Sequence, residues 1–425
     1  MLYATGSLGT GIFSTVPSIL LLFFCTQIMG IAPIVSGVIA FLPKLWGLFW
    51  DPYIGSWSDR AATRFGRRRP FIAAGAATTA IAFVLLFSPP AALTGWAGTV
   101  WIATSYAILV TGYAMFAVPY VAIPPEIAAL PGDRARLVGW RITVAMLGVL
   151  AGAALAPMLV AAYGGNRHGY AMMSIWIGVG AALAMACPLL MMRDRDPARA
   201  KAPPPVRTVG TTPYHIAVAD PAYRPLLMAY VLLLGGAGML SAAAPYFITG
   251  ALGRGEEQIG TALGVMLIVT SLAAPAVARL GHRYGYLHLL KISLVAYLAA
   301  AGCVAASVIL AAGWSAMLVA FALAGLAFAG LQVMPYMLVT DLIHARVATG
   351  ITSEGAMTGL WTAAEKLGLA TSPLLCGIAL ALVNGDPHRL AWPVAGATAL
   401  LFLLSFPLLR AFAAAAPDSI GEARS

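Results

Sequence analysis

Charged residues are scarce in this sequence: 9% of its 425 residues are Asp, Glu, Lys or Arg, against about 25% in soluble domains. That shortage excludes a soluble domain, which has to cover its surface with hydrated side chains. Cysteine is equally sparse. Cys25, Cys187, Cys303 and Cys376 lie singly in four different apolar stretches, with no CxxC or Cys/His spacing for a metal or redox site. They read as small apolar packing residues. The six histidines (His168, His215, His282, His288, His344, His388) all fall in or beside expected loops, which argues against a buried histidine proton relay. There is no GxSxG, HExxH, Gly-rich phosphate loop or paired-carboxylate site, so neither an enzyme nor a cofactor is expected. No basic n-region or cleavage site precedes the first apolar stretch, and a cleavable leader is not expected. The net charge of +10 does not imply nucleic acid, because its placement matters more than its sum.

What is abundant is apolar chain. Hydrophobic residues make up 61%, and 44 Gly and 28 Pro lie largely within the apolar stretches, a pattern of membrane helices. About 20 apolar residues span a hydrocarbon core, and twelve such stretches occur, near 6–29, 32–57, 71–89, 97–121, 136–163, 169–192, 226–250, 260–280, 291–313, 315–338, 355–383 and 390–413. Of 25 Lys and Arg, only Arg167, Arg254 and Arg389 fall in loops on one side. Lys44 and Lys366 fall within spans, and the other 20 lie in or beside loops on the opposite side. The positive-inside rule then places both termini in the cytoplasm of a cell whose plasma (inner) membrane holds the protein. The one long polar segment, Arg193–Arg224, is rich in proline and reads as a linker. The expected organisation is an all-α membrane protein: a six-helix bundle over 1–192, a cytoplasmic linker over 193–224, a second bundle over 225–413 and a cytoplasmic tail over 414–425. A weak echo between the loop after span two (Gly55 to Arg69) and the loop after span eight (Arg279-Leu-Gly281-His-Arg283-Tyr-Gly285) suggests that the bundles are pseudo-symmetric.

The most specific motif is the loop after span two, Asp51-Pro-Tyr-Ile-Gly55-Ser-Trp-Ser-Asp59-Arg60-Ala-Ala-Thr-Arg64-Phe-Gly66-Arg67-Arg68-Arg69-Pro70. It resembles the G-x-x-x-D-R…G-R-R signature of the major facilitator superfamily. The flanking Asp-Pro and Arg-Pro are similar to the glycoside–pentoside–hexuronide:cation symporters, typified by melibiose permease, and to the sucrose:proton symporters. Val118-Pro119-Tyr120, Arg134-x-Arg136, the stretch Pro335 to Asp341, and Leu360-Trp-Thr-Ala-Ala-Glu365-Lys366-Leu-Gly368 extend the resemblance along the chain. The region around Asp341 looks like that family's cytoplasmic loop before the eleventh helix. The resemblance implies that Gly55, Asp59, Arg60, Gly66, Arg67, Arg68 and Arg69 form an inner latch. A short, charged, Gly-jointed turn can pair with helix ends and hold one conformation. The alternative is a cluster that only enforces topology.

Ionisable side chains at membrane depth cost at least about 2.5–3.5 kcal/mol each, and so mark functional sites. Lys44 and Asp51 on span two, Arg141 on span five, and Glu365 and Lys366 on span eleven qualify. Lys44 and Asp51 are seven residues apart, on nearly one helix face and about 10 Å apart along the axis. Gly47 and Gly55 flank Asp51 on that face and let another helix approach. Desolvation and a neighbouring cation act in opposite senses on a carboxylate's hold on a proton, the balance a reversible proton carrier needs. Asp51 therefore reads as a coupling residue, with Lys366 as partner. A static pair of Asp51 with Lys366 or Arg141 is the competing reading. Glu365 is rotated about 100° from Lys366 and reads equally as an interhelical partner or as a second proton site. Arg141 lies near the cytoplasmic end, where snorkelling is open to it.

The resemblance sharpens these readings and departs from them. Melibiose permeases carry two aspartates one turn apart on the second helix, and both serve sodium. Here the earlier falls at Gly47 and only the later remains, as Asp51, which favours a proton over sodium as coupling ion. The acids that hold sugar hydroxyls fall at Gly11 and Ala117, and the pocket tryptophans at Val121 and Ala329. Tyr113, Arg141 and Lys366 match family site positions, so the expected substrate set is Tyr113, Arg141, Lys366, Lys44 and Glu365. The leading expectation is a proton-coupled, alternating-access symporter of a small solute, most naturally a sugar or glycoside, working as a monomer in the bilayer without a metal. The alternatives are a cation-coupled carrier of a lysolipid-like or amphipathic solute, and a non-transporting scaffold on the same fold.

Overall fold

The computed structural model describes residues 2–61, 63, 65–123, 131–191, 212–310, 313–348 and 354–416. Among them twelve helices are long and apolar enough to cross a membrane, and no strand occurs. The first six are α1 (Leu2–Phe23), α2 (Pro33–Arg60), α3 (Arg69–Phe87), α4 (Gly95–Val121), α5 (Pro131–Ala162) and α6 (Arg167–Met191). A short helix, Thr212–Ala219, precedes the other six. These are α7 (Tyr223–Pro245), α8 (Glu257–Tyr284), α9 (Tyr286–Ile309), α10 (Trp314–Ala348), α11 (Glu354–Leu382) and α12 (Pro387–Ala415). Most of the linker, 192–211, and the tail from 417 lie outside the described residues.

Local chemistry sets the ends of these helices. Pro33, Pro70 and Pro387 stand in the first turns of α2, α3 and α12, where a missing N–H costs nothing. Asn166 Oδ1 accepts from the N–H groups of His168 and Gly169 at 2.9 and 3.2 Å, capping α6. Asp220 Oδ1 does the same for α7 through Ala222 and Tyr223, both at 2.9 Å.

The chain divides into two compact units, Met1–Arg207 with Gly255–Gly260, and Thr208–Arg254 with Thr261–Ser425. In the first, α1 is the central helix: it packs on α5 and α6, while α3 packs on α4 and α6, and α2 on α4. An aromatic cluster fills the core, with Phe13 on Phe83 at 5.0 Å and Phe24 on Phe87 and Tyr170 at 5.4 and 4.8 Å. Each such pair contributes about 0.5–1.5 kcal/mol beyond its contact area. Where α1 crosses α5 the backbones touch, Gly11 against Ala145 and Val149, and Gly148 against Leu8. A β-carbon at either position would collide with main chain, the close approach that small residues permit in membranes.

In the second unit α7 takes the central place. Three neighbours donate to carbonyls of one short stretch of it: Ser372 of α11 to Gly235 (3.0 Å), Thr398 of α12 to Gly236 (3.1 Å), and Tyr297 of α9 to Ala237 (2.6 Å). Within a bilayer such bonds are worth about 1 kcal/mol apiece, and they leave none of these hydroxyls orphaned.

α1 and α7 also end alike. α1 passes into a π-helical turn, Phe24–Ile28, and α7 into Tyr246–Ala251. Met29 and Ile31 N–H donate to Phe24 and Cys25 O; Leu252 and Arg254 N–H donate to Phe247 and Ile248 O. Gly30 (φ 67°) and Gly253 (φ 60°) then take the left-handed conformation in equivalent places. The duplication suggested by the two loops thus reappears in backbone detail.

Two expected boundaries need correction. α10 runs to Ala348 instead of stopping near 338, so Asp341 and His344 are helical, not part of a loop. No breaker follows Pro335, and Arg346 in the last turns is held by a two-pronged ion pair to Asp220, 2.6 and 3.2 Å. α9 begins at Tyr286, not near 291, because Gly285 (φ 87°) joins it to α8 in a single residue.

Candidate functional site

α2 carries the two charges expected at membrane depth. Lys44 and Asp51 are both half-buried. Lys44 Nζ donates to Ser18 Oγ on α1 at 3.0 Å, and that hydroxyl in turn donates to Ser14 O at 2.7 Å. The ammonium is thereby aimed at the unit's central helix instead of at the lipid. Gly47 and Gly55 face α4, where a β-carbon would meet Val110 and Val118 at 3.3 and 3.4 Å. Tyr113 is half-buried on the same helix, α4.

Arg141, half-buried on α5, acts electrostatically on the phenols of Tyr3 and Tyr120. Those tyrosines join α1 to α4 as a crossed pair. Tyr3 hydroxyl donates to Tyr120 O at 3.1 Å and Tyr120 hydroxyl to Tyr3 O, with the rings stacked at 4.7 Å. Ser7 Oγ shares a hydrogen bond with the Tyr120 hydroxyl at 3.0 Å. Arg141 therefore lies within electrostatic reach of a buried polar cluster at the junction of α1 and α4. Tyr3 and Ser7 were not singled out from sequence, since an isolated Tyr or Ser in an apolar run carries no pattern.

The described part of the latch loop has a defined turn. Gly66 adopts φ 94°, and Thr63 Oγ1 donates to Gly66 O at 2.6 Å. Arg68 is only 8% exposed and donates to Pro119 O at the end of α4, 3.2 Å. It ties α3 to α4 within its own unit. Arg67 and Arg69 are half-buried, and Arg60 is exposed. The Asp59 side chain and Arg64 lie outside the described residues.

The second unit contributes Glu365 and Lys366, adjacent and half-buried on α11. One turn earlier, Trp361 (4% exposed) stacks on Tyr230 of α7 at 4.1 Å and 10°. Glu365 acts on the same tyrosine. The Trp361 indole N–H is buried without an acceptor, an unmet donor one helical turn from Glu365. Lys44, Asp51, Tyr113 and Arg141 thus belong to the first unit, and Glu365 and Lys366 to the second. Among the described residues no group of three or more His, Cys, Asp or Glu could hold a metal.

The departures from the sugar-binding pattern also have structural reasons. At Gly11 there is no room for an acid, because the position lies in the α1–α5 backbone crossing. Ala329 is fully buried, and Val121 is 50% exposed at the end of α4.

A family model described as MFS/sugar transport protein matches residues 2–414. The chain belongs to that family. It is an integral membrane protein, and the resemblance carried by the loop 51–70 extends over nearly the whole chain. An uncharacterized symporter of Bacillus subtilis (strain 168), YnaJ, is 33% identical over 88 residues, 21% of this chain and 19% of that protein. The sucrose transport protein SUC4 of Arabidopsis thaliana is 42% identical over 71 residues, 17% and 14% of the two chains. The matched stretches thus span less than a fifth of these relatives' length. Among solved structures, a bacterial homolog of the human lysosomal transporter Spinster superposes with TM-score 0.70 at 15% identity, over 97% of this chain and 95% of that one. A D-xylose–proton symporter gives 0.68 at 14%, over 100% and 98%. Similarity at these identities speaks to the fold.

Proposed function

We propose that the protein is a proton-coupled symporter of a small sugar-like solute, working by alternating access as a monomer, with both termini in the cytoplasm. The observation that carries the coupling is Asp51, the one acidic side chain within the membrane-depth part of α2, half-buried on a helix whose Gly47 and Gly55 face α4. One carboxylate suffices to bind and release a proton, whereas a sodium site needs several oxygen ligands, and the family's earlier acid is replaced by Gly47. Lys366 supplies the positive charge for the deprotonated half of the cycle. Tyr113, Arg141, Lys44, Lys366 and Glu365 are the groups that bind solute. The family membership and the sucrose and symporter relatives support this class of solute. The test is uptake into proteoliposomes under an imposed pH gradient, a sodium gradient or neither. Accumulation driven by the pH gradient alone is expected, and sodium-driven accumulation contradicts the reading.

A second reading has an observation of its own. The closed position at Gly11 removes a family acceptor for sugar hydroxyls, which favours a larger or amphipathic solute such as a lysolipid. A thermal-shift screen of glycosides against lysolipids on purified protein separates the two.

A further inference from the structure

The turn that leads into α8 carries a carboxylate that the transport cycle above does not use. Glu256 stands just before α8, outside the spanning segments. Residues Gly255–Gly260 group with the first unit, although the chain on both sides of them groups with the second. They are seated in two places. Gly260 lies against Ala154 of α5 so closely that a β-carbon would stand 2.5 Å from the Ala154 carbonyl oxygen. The Glu256 carboxyl lies against the turn between α5 and α6, where a β-carbon on Gly165 would be 3.6 Å from both its carboxyl carbon and Oε2. Oε2 is buried with no hydrogen-bond partner, and so is Oε1 of Gln258 two residues on.

We propose that Glu256 is a second protonation site, separate from Asp51, and that its neutral form clasps the Gly255–Gly260 turn onto the α5–α6 turn. An ionised carboxylate strongly resists burial without donors, whereas a protonated one packs against Gly165 as an ordinary van der Waals contact.

The groups around it leave that choice to the proton. On its own segment Glu257 adds a like charge, and Arg254 is exposed. On the α5–α6 turn the polar groups are Tyr163, Asn166, Arg167 and His168. Asn166 Oδ1 is taken up in capping α6. The Arg167 guanidinium donates to the carbonyls of Pro89 and Pro90 at 2.8 and 2.7 Å, and His168 is exposed. On α5 the residue nearest Gly260 is Ala154. The start of α8 favours an anion, but burial acts the other way and is the larger cause. Burial first, and Glu257 second, push the Glu256 carboxyl up from 4.5 to about 7.

The sign follows from linkage. The seated turn holds its proton more tightly than a released, hydrated one, so the clasp is at full strength below about pH 4.5. It weakens as pH rises toward about 7 and changes little above that.

Hydrogen exchange of the purified full-length protein, read on segment 253–260 and corrected for intrinsic chemistry, tests this. Between pH 5 and pH 8 protection of the segment should fall by about tenfold or more. In Glu256→Gln, which keeps the neutral shape, protection should stay high and flat. Glu257→Gln should show a smaller response than the unmodified protein, having lost the like charge. Asp51→Asn should respond as the unmodified protein does, which keeps this site distinct from the coupling residue. A pH-independent segment in the unmodified protein, an unchanged response in Glu256→Gln, or its loss in Asp51→Asn overturns the proposal.

Discussion

At the residue scale, the structure separates positions by what their neighbours leave room for. Gly11 replaces an acid that the family resemblance leads one to expect, and the reason is steric, because α5 main chain occupies the space. Restoring the acid with Gly11→Asp should therefore lower stability by at least about 1–3 kcal/mol, the usual cost of overfilling a packed site, and lower the melting temperature in detergent. An unchanged melting temperature together with new sugar affinity would show the crossing to be looser than described. Arg68 makes the complementary point. Its sequence context placed it in the latch loop, and only the fold shows its guanidinium on the Pro119 carbonyl. If Asp59 supplies the latch, Asp59→Asn should slow turnover with little loss of solute binding, whereas Arg68→Ala should also destabilise α3 against α4. Equal and unchanged turnover in both variants would reduce the loop to a topology signal. Lys44, Asp51, Glu365 and Lys366 were legible because charge at membrane depth is conspicuous. Ser18, Tyr3 and Trp361 were not, because an uncharged polar residue in an apolar run becomes informative only once its partner is known.

At the scale of helices, apolar length alone found every span, and the errors sit where composition changes late. α10 keeps going through Thr340, Asp341, His344 and Arg346, polar residues that resemble a loop until the ion pair to Asp220 is seen. Hydropathy cannot register that pair, since Asp220 lies 126 positions away. With side chains 20% and 9% exposed, the pair is neither fully screened nor fully buried. Arg346→Ala should cost about 1–3 kcal/mol, between the values for surface and buried pairs. The loss should appear as faster hydrogen exchange over 341–348 and at the start of α7, which Asp220 also caps. Exchange that changes at neither end would mean that the helix continues by propensity alone. The paired π turns were likewise invisible in sequence, for Phe24–Ile28 and Tyr246–Ala251 share little but their place before Gly30 and Gly253.

At the scale of the molecule, orientation rests on the uneven distribution of Lys and Arg among the loops. A cysteine at Gly253 should react with an impermeant thiol reagent added to intact cells, and one at Thr63 should react only after the cells are opened. The reverse pattern would invert the topology. The central claim is that one proton, carried by Asp51, couples the gradient to solute movement. Asp51→Asn fixes the neutral form, so protonation can no longer differ between the two faces of the membrane. Solute exchange at equilibrium needs no net proton transfer and can proceed without that change. The decisive measurement is uptake by Asp51→Asn in proteoliposomes, with an imposed pH gradient and, separately, with preloaded solute. The account predicts loss of pH-driven accumulation with exchange retained. Full pH-driven accumulation by the variant would contradict it.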